Sequence, residues 1–247
     1  MKCVLCTICE TAHATFDKKM DAWLYAQSND VEIMERETDP AAIQQAYEQT
    51  DLAESFRQYL ALAEKGSVWS MATVGRMLQT GIGTEQDSSQ AEKWLVRAYQ
   101  AGSDYGLICL GCLYERSERS EKAQEVYRAG VARGFVPAMV YLAASYRKSP
   151  DWVQRRHEVL KLLEDGRAAG DLFARHWLTT AMVRGWFGLR YIPEGIRRMP
   201  GVAHDMAALL EDNTSPSQGD GKTRPGFVSR LAAQLSLVGA TRHPASS

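Results

Sequence analysis

Large apolar residues recur along the middle of the chain at helical spacing, with small residues beside them. Val74 and Leu78, Leu110 and Tyr114, Leu142 and Tyr146, and Leu178 and Met182 each lie one helical turn apart, so the members of each pair share a face. Four residues before each pair stands Ser70, Gly106, Ala138 or Ala174, and directly after its first member stands Gly75, Gly111, Ala143 or Thr179. Small side chains at those points admit a neighbouring helix, and the large ones fill the space beside it. Each copy of the pattern is preceded by a glycine: Gly66, Gly102, Gly134 and Gly170, at intervals of 36, 32 and 36 residues. A period of that length is the one helical hairpins need to stack, each burying its apolar face on the next.

Local start and stop signals agree with the period. Asp39-Pro40 opens a helix over 41–48, with Asp as cap and Pro in the first turn, where its missing N–H costs nothing. After a turn at Asp51, Phe56, Tyr59, Leu60 and Ala63 carry a helix over Ser55 to Lys65, and Gly66 ends it in a left-handed conformation. Gly81 and Gly83 turn the chain inside the first full unit, and Asp87, Ser88 or Ser89 caps the helix that follows. Ser149-Pro150 plays the equivalent part before Gly170. Beyond that anchor one helix runs to about Arg184, Gly185-Trp186-Phe187-Gly188 turns the chain, and Pro193 begins a helix with Ile196 and Met199. Pro200-Gly201 is expected to break this helix ahead of an amphipathic piece, Val202 to Leu210. The expected organisation is therefore N-terminal capping helices over 1–38, a repeat array over 39–200, a C-terminal cap helix over 201–212, a flexible linker over 213–226, and a short amphipathic helix with a disordered tail over 227–247. The linker holds Pro, Ser and Gly without apolar periodicity, and Phe227, Leu231, Leu235 and Val238 stripe the tail helix.

The best unit reads Ala91-x-x-Trp94-x-x-x-Ala98-x-x-x-Gly102, preceded by the loop Gly81-Ile82-Gly83-Thr84-Glu85-Gln86-Asp87. It resembles the Sel-one-like repeat (SLR), a branch of the tetratricopeptide-like (TPR-like) helical repeats. Ala46-Tyr47, Asp51 and Gly66-Ser67 resemble the way such arrays open, and the resemblance covers roughly 40–200. The unit after Gly102 departs from it by losing the glycine loop, reading Glu115-Arg116-Ser117-Glu118-Arg119-Ser120, and the last unit has Thr179 where Gly or Ala is usual. The resemblance implies an all-α fold, a right-handed α-solenoid of antiparallel helix pairs. It also implies a non-enzymatic adaptor that binds a protein or peptide in a concave groove, in bacterial signalling, envelope, secretion, toxin-immunity or host-interaction settings. It carries no catalytic residue over to this chain. Cysteine-rich members of the wider family suggest an alternative, a cell-wall or β-lactam-binding enzyme, but they carry paired cysteines across each hairpin, which this chain lacks.

Composition narrows the picture. A formal net charge of −1 removes the main electrostatic argument for nucleic acid, and no run of about 18 apolar residues is present to span a membrane. The five cysteines, at 3, 6, 9, 109 and 112, are odd in number and do not frame a disulfide scaffold, which favours a reducing compartment and a cytoplasmic protein. The alternative is periplasmic, if residues 1–14 act as a short signal peptide. Cys3, Cys6, Cys9 and His13 have the one metal-like spacing, yet with no second cluster to close a site they read as the apolar start of a helix. Cys109 and Cys112 lie one turn apart and read as core thiols. The five histidines form no metal-binding pair, and no nucleophile elbow or phosphate loop is present, so no cofactor, metal or catalytic site is expected.

The candidate site is a stripe on the first helix of each hairpin. Positions three and seven after the anchors hold Trp69 and Thr73, Tyr105 and Cys109, Pro137 and Tyr141, and Phe173 and Trp177. Fourteen after them come Thr80, Arg116, Lys148 and Arg184, on nearly the same meridian. Trp69, Tyr105, Tyr141, Phe173 and Trp177 would then line a groove edged by Arg116, Lys148 and Arg184, suited to a peptide of acidic character. The alternative is that these rings are core and the cations complement helix dipoles. A monomer is expected, with self-assembly through the tail helix as the other possibility.

Overall fold

The computed structural model describes residues 32, 33 and 36–211, with side chains as far as Val202. The expectations for residues 1–31, including Cys3, Cys6, Cys9 and His13, and for the linker and tail over 213–247 lie outside the described residues. Among those described, every regular element is helical. The chain divides into two compact units at Arg116 and Ser117.

The first unit contains α1 (Pro40–Glu48), α2 (Leu52–Glu64), α3 (Val68–Thr80), α4 (Ser88–Gln100) and α5 (Asp104–Arg116), each packed on the next, with α3 also touching α5. The second contains α6 (Ser120–Ala132), α7 (Val136–Lys148), α8 (Arg156–Ala168), α9 (Leu172–Val183), a 3-10 turn at Leu189–Tyr191 and α10 (Ile192–Glu211). Its helices also pack in consecutive pairs, with α7 touching α9. This is the expected all-α architecture of stacked helix pairs.

The anchor glycines end helices as their backbone freedom predicts. Gly66, Gly102, Gly134 and Gly170 have φ of +105°, +96°, +79° and +86°, and Gly185 repeats the geometry after α9 at +69°. In each case the following residue's N–H reaches back five positions, as Ser67 does to the Leu62 carbonyl and Ser103 to that of Ala98, both at 3.0–3.1 Å. Ser67, Ser103 and Asp171 then cap the next helix, accepting from the N–H of Ser70, Gly106 and Ala174. One residue thus closes one helix and opens another. Where the glycine loop is lost, Glu118 takes the left-handed φ of +57°.

Close helix crossings explain the small residues. A methyl group added to Gly106 would lie 2.8 Å from the Ala98 Cβ, and one added to Gly166 would lie 2.8 Å from the Ala174 Cβ. Gly75 is tighter still, at 2.5 Å from Leu95 Cγ across the α3–α4 hairpin. The first helices α3, α5 and α7 are enclosed on nearly every face: α5 buries all of Asp104–Gly111, whereas α4 buries only Ala91, Leu95 and Ala98. The core of the first unit is therefore built mainly from α3 and α5 and that of the second mainly from α7, with the second helices laid over them.

One expected boundary is wrong. Pro200-Gly201 does not break the helix, and α10 runs unbroken through both residues. Gly195 lets α10 approach α9, where an added Cβ would stand 2.8 Å from Met182 Cβ and from the Val183 backbone nitrogen. Glu194 binds Arg197 through Nε at 2.8 Å and Nη2 at 2.7 Å, and Arg198 through Nε at 2.6 Å. Arg198 also reaches Glu164 of α8 at 3.1 Å. These ties brace the turn that precedes Pro200, and Arg198 joins it to α8.

Two outcomes follow from this packing. Gly75→Val is expected to destabilise by about 1–3 kcal/mol through overpacking, and Gly102→Ala by about 1–2 kcal/mol through backbone conformation alone, since nothing lies within 4 Å of its would-be Cβ. Urea midpoints at constant m-value measure both, and a Gly75→Val midpoint equal to wild type would contradict the close crossing. The second outcome concerns acid. Hydrogen bonds from Arg197 and Arg198 pull the Glu194 carboxyl from its ordinary 4.5 to about 2. A depressed pKa stabilises the fold above the unfolded value and is lost as pH falls through the folded one, so Glu194→Gln should flatten the decline in melting temperature between pH 4.5 and about 2. Parallel acid limbs in the two proteins would count against it.

Candidate functional site

The second unit carries a cluster of indoles and guanidiniums built from two helix ends. α7 finishes in Arg147 and Lys148, and the chain then folds back through a turn in which the Trp152 N–H donates to the Ser149 carbonyl at 3.1 Å. At the end of α9, Gly185 takes its left-handed φ and the Trp186 N–H donates to the Ala181 carbonyl at 3.0 Å. That bond lays Trp186 against the end of its own helix. Trp177, on α9, meets Trp186 edge to face, with ring centroids 6.2 Å apart and planes at 89°.

Arg147 joins the two turns. Its Cζ lies 4.2 Å from the Trp152 ring centroid and 4.7 Å from that of Trp186, placing the guanidinium against both indoles. Arg156 stands 6.0 Å from the Trp152 ring and Arg184 6.0 Å from the Trp186 ring. The Nε of Arg147 is buried without an acceptor. Among the described residues, Arg147, Arg156 and Arg184 have no carboxylate partner. The nearby acids are engaged elsewhere: Arg155 pairs with Asp151 at 2.6 Å and Glu158 at 3.5 Å, and its hydrogen bond holds the Asp151 carboxyl below the usual range. Trp152, Trp177, Trp186, Arg147 and Arg156 are half-buried, and Arg184 is exposed.

This placement corrects the expected groove. Trp69, Tyr105 and Tyr141 are only 4%, 2% and 8% exposed, so they are interior rings and do not present a free surface. The reason is the enclosure of the first helices: on α3, α5 and α7 nearly every meridian meets a neighbour. Tyr141 packs on Tyr127 at 5.6 Å. Cys109 is buried and Cys112 half-buried, as core residues would be. Phe173 and Trp177 are half-buried, and Arg116, Lys148 and Arg184 are exposed. Of the expected site residues, Trp177 and Arg184 converge, both on Trp186. Arg147, Trp152, Arg156 and Trp186 were missed because they lie at helix ends and in loops, off the register that the anchors define. The adjacent Arg147-Lys148 pair with Trp152 just beyond was the available signal.

A concavity of about 370 Å³, lined by Arg167, Arg175, Glu194, Arg197 and Arg198, lies apart from this cluster, over α8, α9 and α10. Arg167, Arg197 and Arg198 are committed there to Glu164 and Glu194, which makes it an ion-pair lattice across the helices. No group of metal-ligating side chains occurs among the described residues, and no described helix is long and apolar enough to cross a membrane.

No protein-family model matches the sequence, and no curated protein matches it. Solved structures do. A Sel1 repeat protein from Oxalobacter formigenes is 21% identical with a TM-score of 0.51, over 60% of this chain and 61% of that one. A protective antigen present in uropathogenic Escherichia coli strains, which displays an SLR fold, is 21% identical with a TM-score of 0.50, over 77% of this chain and 42% of that one. The chain thus spans less than two thirds of either structure's length. The repeating glycine anchors, the consecutive helix pairs and these two likenesses agree, and the chain has the helical-hairpin fold of the Sel1-like repeat proteins.

Proposed function

We propose that the chain is a non-catalytic scaffold, acting in a reducing cytoplasmic setting, that binds a protein partner through the indole and guanidinium cluster of its second unit. The observation that carries this reading is the half-exposed edge-to-face pair of Trp177 and Trp186, with the Arg147 Cζ 4.7 Å and the Arg184 Cζ 6.0 Å from the Trp186 ring centroid. Indole and guanidinium are the side chains that dominate partner-binding energy, because they bring large area and directed hydrogen bonds at little cost in conformational entropy. They are contact chemistry, with no group among them that attacks a bond or shuttles a proton near neutral pH. The fold supports the same reading, since packed hairpins present side chains from successive loops and helix ends within each unit.

Affinity capture from native lysate tests this, using the full chain as bait beside a Trp177→Ala, Arg184→Ala double variant of matched helicity and melting temperature. A partner retained by wild type should fall by at least about tenfold with the variant, the scale of losing one hot-spot residue. Equal recovery of the same partner by both baits would move the binding surface away from this cluster.

A further inference from the structure

Resting on the placement of the partner site at this cluster, we infer that what it receives is an acidic segment of the partner, seated by a carboxylate in the plane of the Arg147 guanidinium. Three observations carry the inference. First, the Arg147 Cζ lies 4.2 and 4.7 Å from the Trp152 and Trp186 ring centroids, so the guanidinium is held in contact with both indoles and its N–H groups are what remains for hydrogen bonding. A carboxylate meets a guanidinium edge on, with two parallel N–H···O bonds in one plane. Second, the buried Nε has no acceptor, which marks a donor set only partly used. Third, the cluster gathers Arg147, Arg156 and Arg184 around two indoles with no carboxylate partner among the described residues, while Asp151 and Glu158 are both held by Arg155. A chain of formal net charge −1 has acids to spare, so a local excess of three arginines without a carboxylate partner is a feature of this face and not of the composition.

Nucleic acid fits the same face less well. Base stacking needs an open ring face, and Arg147 occupies one on each of Trp152 and Trp186, with Trp177 packed against the latter as well. A peptide needs only the guanidinium edge and the flanking cations. Carboxylates spaced along an extended segment would then bind Arg147 centrally, with Arg156 and Arg184 to either side.

The test is a titration of the full chain with the capped peptide acetyl-Glu-Glu-Leu-Glu-Glu-amide, followed by the indole N–H resonances of Trp152 and Trp186. Its glutamine counterpart, inorganic phosphate and an oligothymidylate serve as parallel probes. The acidic peptide is expected to shift both resonances saturably, and Arg147→Lys to weaken it about tenfold despite keeping the charge, because an ammonium offers no planar fork. The doubly substituted Arg156→Gln, Arg184→Gln chain changes side chains nearer the surface and should also weaken binding, so the inference stays testable even if Arg147→Lys perturbs folding. Equal affinity for the glutamine peptide, or no change on Arg147→Lys, would overturn the carboxylate assignment. Tighter binding of phosphate or oligothymidylate would overturn the peptide assignment. If lysate capture depends on Trp177 and Arg184 while the acidic peptide shifts nothing, the site stands and its proposed chemistry falls. If the peptide binds and capture is insensitive to those residues, the reverse holds.

Discussion

The structure depends on one backbone constraint, the left-handed glycine that closes a helix and turns the chain within a single residue. At Gly66, Gly102, Gly134 and Gly170 nothing lies within 4 Å of where a Cβ would be, so steric room is not what demands glycine there. The positive φ demands it. Once the turn is made, the carbonyl four residues before the glycine is fixed as the acceptor of the closing bond, and the side chain at that position faces the helix that follows. Ala98 and Gly106 around Gly102, and Gly166 and Ala174 around Gly170, are the resulting crossings, and both leave room for little more than a methyl group. The sequence period is thus the shadow of a repeated geometric event: close, cap, cross.

This explains what could be read from residues alone. Caps and stops are local, so Asp39, Asp87 and the four anchors announce themselves, and the structure uses each as expected. Facing is not local. Helical spacing shows that Trp69 and Thr73, or Tyr105 and Cys109, share a meridian, but it does not say whether that meridian meets water or another helix. In the first helices almost every meridian meets a helix, and the aromatic stripe that looked like a groove is mostly core. Pro200 misled for a related reason. Its local cost is a lost hydrogen bond and a crowded carbonyl, and what holds α10 in place despite it is tertiary, the close approach to α9 at Gly195 and the tie from Arg198 to Glu164, which no propensity reveals.

The residues that form the candidate surface sit where the repeat is irregular. The first unit keeps a glycine loop, held so close that a side chain on Gly83 would collide with the Leu52 carbonyl. The second unit has no such loop after α7 and replaces it after α9 with Gly185-Trp186-Phe187-Gly188. Freed from the repeat's packing demands, these two turns carry Trp152 and Trp186. Sites in regular folds tend to appear where local rules are relaxed, and a reading organised by the period passes over such positions because they lie between its register points.

Arg147 shows how such a site is balanced. Two cation–π contacts at about 0.5–1 kcal/mol each compete with about 1–3 kcal/mol for burying a donor without an acceptor. The two terms are of the same size, so the cluster gains little stability from this guanidinium. Replacing Arg147 by an apolar side chain of similar volume would serve the core at least as well. A cation held at roughly zero net gain, in contact with two rings and lacking a carboxylate partner, is poorly explained by the needs of folding. It is well explained as a pre-organised half of an ion pair: most of the side-chain entropy is already spent and part of the desolvation is complete before any anion arrives. The same arrangement that makes Arg147 a weak contributor to stability makes it an efficient receptor, and this asymmetry distinguishes it from Arg155, whose charge the fold itself neutralises with Asp151 and Glu158.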